Sequence, residues 1–267
     1  AEIERHVNRI VRRVGSARIE IEDVLRDLEL TGLTRRKQRE VIRKINSILD
    51  GLDADLQKEA EESTSEVFEH GRALALVALG LAASVGAAKR LLRGKRGANN
   101  VQKAIRSDAY ETLTEDLLAA TQNTRRHVKR EIRRAAAATL REGREGRQGA
   151  RSQIRDLRKR LGASANLSIT DAAGRRWKLN DYTEMAIRTK LAEMQVEGER
   201  TEALREGVQY GVVSRHSNPC ERCAPWEGRI VKLTADAPGD YPTIEDAQAE
   251  GLWHPSCAHT FTAISDF

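Results

Sequence analysis

Apolar residues recur three and four apart along most of the first 160 residues, the spacing that collects them on one face of a helix. In residues 3–14 they are Ile3, Val7, Ile10, Val11 and Val14, with Glu and Arg between them. Gly15 separates this run from a second, Ile19, Val24, Leu25 and Leu28, which stops near Gly32. Thr34 is placed to cap a third helix, with Val41, Ile42, Ile45, Ile48, Leu49 and Leu52 spaced for burial. The polar residues 53–69 continue that helix. Helices this short are stabilised mainly by packing on one another or on a partner, so the pattern predicts a layered or antiparallel helical assembly.

Residues 73–88, ALALVALGLAASVGAA, carry no charge. They fall short of the roughly 20 residues that cross a bilayer, and Ala and Gly contribute little transfer energy. A single buried helix is expected, and no stable membrane span. Residues 89–97 then read as a basic, glycine-broken loop. Helix resumes over 104–118 and runs on through 125–140. The Gly- and Arg-rich tract 141–151 predicts a hinge or frayed helix, since each Gly costs about 1 kcal/mol against Ala inside a helix. Ile154, Leu157 and Leu161 form a last helical stripe.

From about residue 163 the period changes. Residues 167–170 and 175–179 alternate on either side of Asp171-Ala172-Ala173-Gly174, the pattern of a β-hairpin. Residues 181–184 resemble a capping box opening a helix that carries Met185, Ile187, Leu191, Met194 and Val196. Strands are expected at 212–214, 229–233 and 259–264, with a short helix at 243–248. The fold class is therefore mainly α, an extended helical N-terminal region followed by a small α+β C-terminal domain. Three regions follow: 1–88 for helical assembly and docking, 89–162 as a basic helical region with its hinge, and 163–267 as the α+β module.

Composition agrees with long amphipathic helices: of 267 residues 32% are charged and only 4% aromatic. The net charge of +6 is unevenly spread. Residues 89–160 hold 21 Lys and Arg against 8 Asp and Glu, while the remainder carries 25 against 32. A polyanion is the natural partner of such a block. Its candidate phosphate contacts are Lys89, Arg90, Arg93, Lys95, Arg96, Arg125, Arg126, Lys129, Arg130, Arg133 and Arg134.

All three cysteines and two of the six histidines fall within the last 48 residues, as Cys220-Glu221-Arg222-Cys223, His254-Pro255-Ser256-Cys257 and His259. Two thiolates at C-x-x-C spacing grip one ion from a single turn, and a second pair completes four-fold coordination, the ligand set of a structural Zn²⁺ site. Cys220, Cys223, His254 and Cys257 are the expected ligands, with His259 the alternative to His254 and His216 a more distant one. Three cysteines in so long a chain make no disulfide framework, so a reducing compartment is expected. Residues 1–5 lack the apolar run of a secretory signal.

Other chemistries fit less well. Pro219-Cys220-x-x-Cys223 matches part of the zinc deaminase signature, but no histidine is followed by x-Glu and the ligand order is reversed. There is no G-x-S-x-G, P-loop or H-E-x-x-H. A Cys257 nucleophile paired with His254 or His259 is an alternative, as is a zinc knuckle reading nucleic acid. The knuckle calls for basic surroundings, whereas Glu221, Glu227, Asp236, Asp240, Glu245, Asp246 and Glu250 make this region acidic.

The run from Thr170 to Thr189, TDAAGRRWKLNDYTEMAIRT, together with Val213-Ser214-Arg215-His216, Pro219–Gly228 and His254-Pro255-Ser256-Cys257, resembles tailed-phage minor capsid proteins. The families are phage minor capsid protein 2 and the related phage Mu F-like head morphogenesis proteins. The likeness spans residues 168–264; the helical N-terminal part matches only in being helical. It implies a non-enzymatic virion component, present in several copies, assembled with the portal or major capsid protein at the head vertex or capsid interior. It also implies a role in head morphogenesis and in packaging or ejecting double-stranded DNA, with the host cytoplasm as the place of assembly. The Arg-rich middle would then hold DNA phosphates without reading sequence.

Overall fold

A computed structural model describes residues 2–27, 34–94, 100–142, 168–170, 176–255 and 257–265. Four helices come first: α1 (Glu2–Arg26), α2 (Arg35–Ala78), α3 (Val85–Gly94) and α4 (Asn100–Glu142). A hairpin, β1 (Ser168–Thr170) and β2 (Arg176–Lys178), leads into α5 (Leu179–Arg205). Then follow β3 (Tyr210–Val213), a 3₁₀ turn (Ala224–Trp226), β4 (Ile230–Lys232), α6 (Ile244–Ala249) and β5 (Phe261–Ile264). The protein is mainly helical with a small C-terminal sheet, as the periodicity predicts.

Several helix limits differ from expectation. Gly15 does not divide α1, because the stripe Val7, Ile10, Val14, Ala17, Ile21 and Leu25 is buried along its length. Ile19, assigned to a buried face by local spacing, is 52% exposed. The uncharged segment 73–88 is not one helix. α2 ends at Ala78, Gly80 adopts φ +69°, and the Gly80 and Leu81 amides donate to the Val77 and Leu76 carbonyls at 3.0 and 2.9 Å. That is a Schellman cap, and it uses the one residue type that enters the left-handed region without strain. The segment 89–94, expected as loop, is the second half of α3. Residues 95–99 lie outside the described residues, as do Leu28 and the stop near Gly32, the tract 143–151, the stripe at 154–161 and the hairpin turn. Among the described residues no helix is long and apolar enough to cross a membrane.

The chain forms two compact units. One comprises Asn8–Glu59 and Thr114–Glu184. In it Arg9 reaches Glu59 at 3.0 Å while Arg13 reaches Asp55 at 2.5 Å, so successive turns of α1 meet earlier turns of α2 and the two run antiparallel. Arg125 of α4 joins them through Asp50 and Asp53 at 2.8 and 2.6 Å. Leu49, Leu52, Leu117, Val128 and Ile132 are buried here. The cap at Thr34 is present, its hydroxyl accepting the Lys37 amide at 3.3 Å.

The other unit comprises Ala1–Val7, Ala60–Leu113 and Met185–Phe267. Its α2 and α5 cross at two glycines, where a Cβ on Gly71 would strike the Gln195 carbonyl and one on Gly198 the Phe68 carbonyl. Beside the crossing, buried Arg72 grips buried Glu202 through Nε and Nη2 at 2.8 and 2.7 Å. The three-stranded antiparallel sheet has the order β4-β3-β5, with Gly211 of β3 opposite Val231 and Ala263. Its core of Val196, Ala203, Val213, Trp226, Val231, Leu233, Ile244, Leu252 and Phe261 also contains Cys223 and Cys257. The site is thus built into a packed core.

Candidate metal centre

Two loops carry the donors. The first joins β3 to β4, and its base is closed by the Gly228 amide on the Val213 carbonyl and the Val213 amide on the Arg229 carbonyl, both 3.0 Å. Within it the Cys223 and Ala224 amides donate to the Cys220 carbonyl at 3.0 and 2.9 Å, a tight turn that points both thiols the same way. Pro225 and buried Trp226 continue it as the 3₁₀ turn, with the Arg229 guanidinium 4.7 Å from the indole centroid.

The second loop follows α6, whose capping box pairs Thr243 with Asp246. Trp253 leaves it at φ +57°, an uncommon conformation for a bulky residue and a local cost. Its indole N–H donates to the His259 carbonyl at 2.8 Å, which fixes the approach to β5. The Cys257 amide donates to the His254 carbonyl at 2.8 Å, so the H-P-x-C turn mirrors the C-x-x-C turn.

These loops bring five expected donors together in two overlapping groups that share Cys223: Cys220, Cys223 and His254, and Cys223, Cys257 and His259. Within each group every ligand atom lies within 4.8 Å of the others. Cys223 and Cys257 sulfurs are 3.6 Å apart, Cys257 sulfur and His259 Nδ1 3.4 Å, Cys220 sulfur and His254 Nε2 3.0 Å. A tetrahedral ion with Zn–S of about 2.3 Å and Zn–N of about 2.0–2.1 Å has ligand–ligand edges of roughly 3.5–3.8 Å. The first two separations fall close to that range.

Electrostatics make the same point. The Cys223 backbone N–H, with His254 assisting, lowers the exposed Cys220 thiol to about 7. Burial, reinforced by the neighbouring Cys220 and Cys257 thiols, pushes Cys223 up to about 12. A buried thiol crowded by two others resists ionisation, and a bound dication is what reverses that. Soft sulfur with imidazole suits Zn²⁺, so the residues fit the ion.

Glu227 also belongs to the site, although in the sequence it is only one of several acids. It accepts the His216 amide at 2.7 Å and lies 3.0 Å from His259 Nε2. The His216 amide, then His259, hold its carboxyl below the usual range. No local pattern marks it, because its partner is 32 residues away. The His216 ring stacks edge-on against His259 at 4.4 Å and lies 3.2 Å from the Ser214 hydroxyl; it belongs to neither donor group. A third grouping, Glu2, His6 and Glu66, is an ion-pair cluster: Arg5 bridges both carboxylates at 3.0 and 2.6 Å and Lys89 also reaches Glu2, at 3.2 Å.

The basic candidates divide. Lys89 and Arg125 are held in ion pairs with Glu2 and with Asp50 and Asp53. Arg90 and Arg93 are exposed on α3, and Lys95 and Arg96 lie outside the described residues. Arg126, Lys129, Arg130, Arg133 and Arg134 share one exposed stretch of α4 and line a single shallow hollow.

No curated protein and no solved structure gives a match to the chain. The model of one family, phage minor capsid protein 2, matches residues 25–265, which include both donor loops and most of the helical region. With nearly its whole length matched, the chain belongs to the phage minor capsid protein 2 family.

Proposed function

We propose that this minor capsid protein is a zinc-clipped structural component of the phage head that docks on the portal or the inner face of the major capsid shell. From there it holds packaged double-stranded DNA without reading its sequence. The observation that carries this is the family match across residues 25–265. It supports a structural role in the virion over an enzymatic one, with assembly in the host cytoplasm and several copies per head.

The metal clip has a physical purpose here. Cys220, Cys223, Cys257 and one histidine would join two loops where the sheet has only three strands, and four protein ligands leave no open position for chemistry. The result is a rigid docking module.

DNA contact rests on α4. Arg126, Lys129, Arg130, Arg133 and Arg134 recur at helical spacing on one exposed strip, so a single phosphate backbone can meet several of them. Arg125 and Lys89 are engaged internally and are assigned to stability instead.

Mass spectrometry of purified virions and proheads tests the placement, and absence from both would overturn it. Elemental analysis of the purified chain should give about one zinc per protein, absent from Cys220→Ser. For DNA, replacing the five α4 cations with Gln should weaken duplex binding. It should also flatten the log–log salt dependence by about 0.9 for every phosphate no longer neutralised. Unchanged affinity and slope would refute the assigned surface, and a zinc-clipped nucleic-acid module reading specific sequence would instead show binding that survives these substitutions. A Cys257-dependent enzyme predicts that Cys257→Ala folds, keeps its stability and loses activity.

A further inference from the structure

The thiol cluster offers five donors to an ion that takes four, and the geometry points to His259, oriented by the Glu227 carboxylate, as the nitrogen ligand beside Cys220, Cys223 and Cys257. This choice rests on the proposed zinc site. The two histidines are not equivalent. His259, Cys223 and Cys257 are all buried, and their separations of 3.4 and 3.6 Å are close to the edges of a tetrahedron around one ion. His254 is only half-buried, beside exposed Cys220, and its 3.0 Å approach to that sulfur is shorter than such an edge.

The outer partners separate the two further. Glu227 is fixed by the His216 amide and accepts from His259 Nε2, so the Nδ1 lone pair is left facing Cys257. A carboxylate behind an imidazole sets its tautomer and raises its basicity as a ligand. Behind His254, among the described residues, Nδ1 lies 2.9 Å from the carbonyl oxygen of its neighbour Pro255, and no carboxylate stands there. The His259 backbone is pinned as well, by the Trp253 indole. Cys220, at the exposed start of its turn, is grouped with Cys223 and His254 rather than with Cys257 and His259. It serves as the fourth ligand through the turn it shares with Cys223, with His254 as a hydrogen-bonding neighbour of its sulfur.

The test uses the full chain and zinc alone, with affinity read by competition against a chromophoric chelator and helix content checked by circular dichroism. Glu227→Gln should weaken zinc about 10–100-fold, as removal of an outer-shell partner does. His259→Ala should weaken it at least as much, and His254→Ala by no more than a few-fold. His259→Cys restores a donor without the carboxylate link, so in that background Glu227→Gln should have no effect. A purely structural Glu227 would destabilise both backgrounds alike. Wild-type protein that takes up no zinc overturns the metal site and this assignment together. Zinc bound by wild type but abolished in His254→Ala and kept in His259→Ala overturns the ligand choice alone. Wild-type affinity in Glu227→Gln overturns the orienting role.

Discussion

Gly71→Ala and Gly51→Ala are the same chemical change in the same helix, and they should move stability in opposite directions. At Gly51 nothing lies within 4 Å of an added methyl. The substitution there should stabilise by up to about 1 kcal/mol, the helix-propensity difference between Gly and Ala. At Gly71 the methyl carbon would lie 3.0 Å from the Gln195 carbonyl carbon and 3.0 Å from the Glu199 amide nitrogen, with the Gln195 oxygen closer still. These are backbone atoms of α5 and cannot swing aside as a side-chain end would. The two helices must separate, and a gap of about 0.5–1 Å forfeits a quarter to a half of the dispersion energy between the facing atoms. Overpacking of this kind costs about 1–3 kcal/mol; with an immobile neighbour we take the upper end. Setting the propensity gain of about 1 kcal/mol against it leaves a net loss of about 2 kcal/mol. Urea unfolding followed by circular dichroism reads the difference, as would melting, at about 2–4 °C per kcal/mol for a chain somewhat shorter than this one. Gly198→Ala meets Phe68 backbone in the reciprocal way, with the carbonyl carbon at 3.1 Å. The double variant should lose less than the sum, since one separation accommodates both methyls. Gly71→Ala as stable as wild type would refute the close backbone approach and with it this account of the crossing.

Other substitutions probe the same unit. Burial holds Glu199 up at about 8 against an ordinary 4.5, only partly offset by Gln195, so the folded state keeps a proton that the unfolded chain releases between those values. Its contribution is complete below 4.5 and is lost as pH rises through 8. Glu199→Gln should therefore change stability little at the acid end of that window and raise it above the window by on the order of a few kcal/mol, as denaturant titrations across pH would show. Arg72→Ala strands the buried Glu202 carboxylate and should cost about 3–5 kcal/mol in the same assay, much of it recovered when Glu202 is also made apolar. Thr243→Ala removes the reciprocal cap on α6 and should cost about 1 kcal/mol, with faster amide exchange at Asp246 as the local sign.

Much of the local structure is legible in the sequence because it is set by near neighbours. A 3.6-residue apolar period specifies helix, alternation specifies the hairpin and the C-terminal strands, and Thr34 announces a helix start through a side chain that reaches an amide three residues on. The capping-box pattern at 181–184, by contrast, falls inside α5, which already begins at Leu179. C-x-x-C and H-P-x-C spacing likewise marks two turns with sulfur on them. Local spacing does not say which glycine ends a helix. Gly15 sits inside α1, where a continuous stripe is buried, while Gly80 turns the chain at φ +69° and divides a segment that carries no charge. Nor does it say that Ile19 faces outward, or that Lys89 and Arg125 spend their charge on internal carboxylates while Arg126, Lys129, Arg130, Arg133 and Arg134 line an exposed strip of α4.

The pairing of Glu227 with His259 spans 32 residues and that of Arg72 with Glu202 spans 130. Such pairs leave no periodic trace, since they depend on which surfaces the packed chain brings within a few ångströms. Helices, strands and the kinds of donor are therefore written in the order of the residues, where each is set by partners a turn or a hairpin away. Which faces are buried, where two backbones touch, and which carboxylate stands behind His259 are settled only by long-range packing.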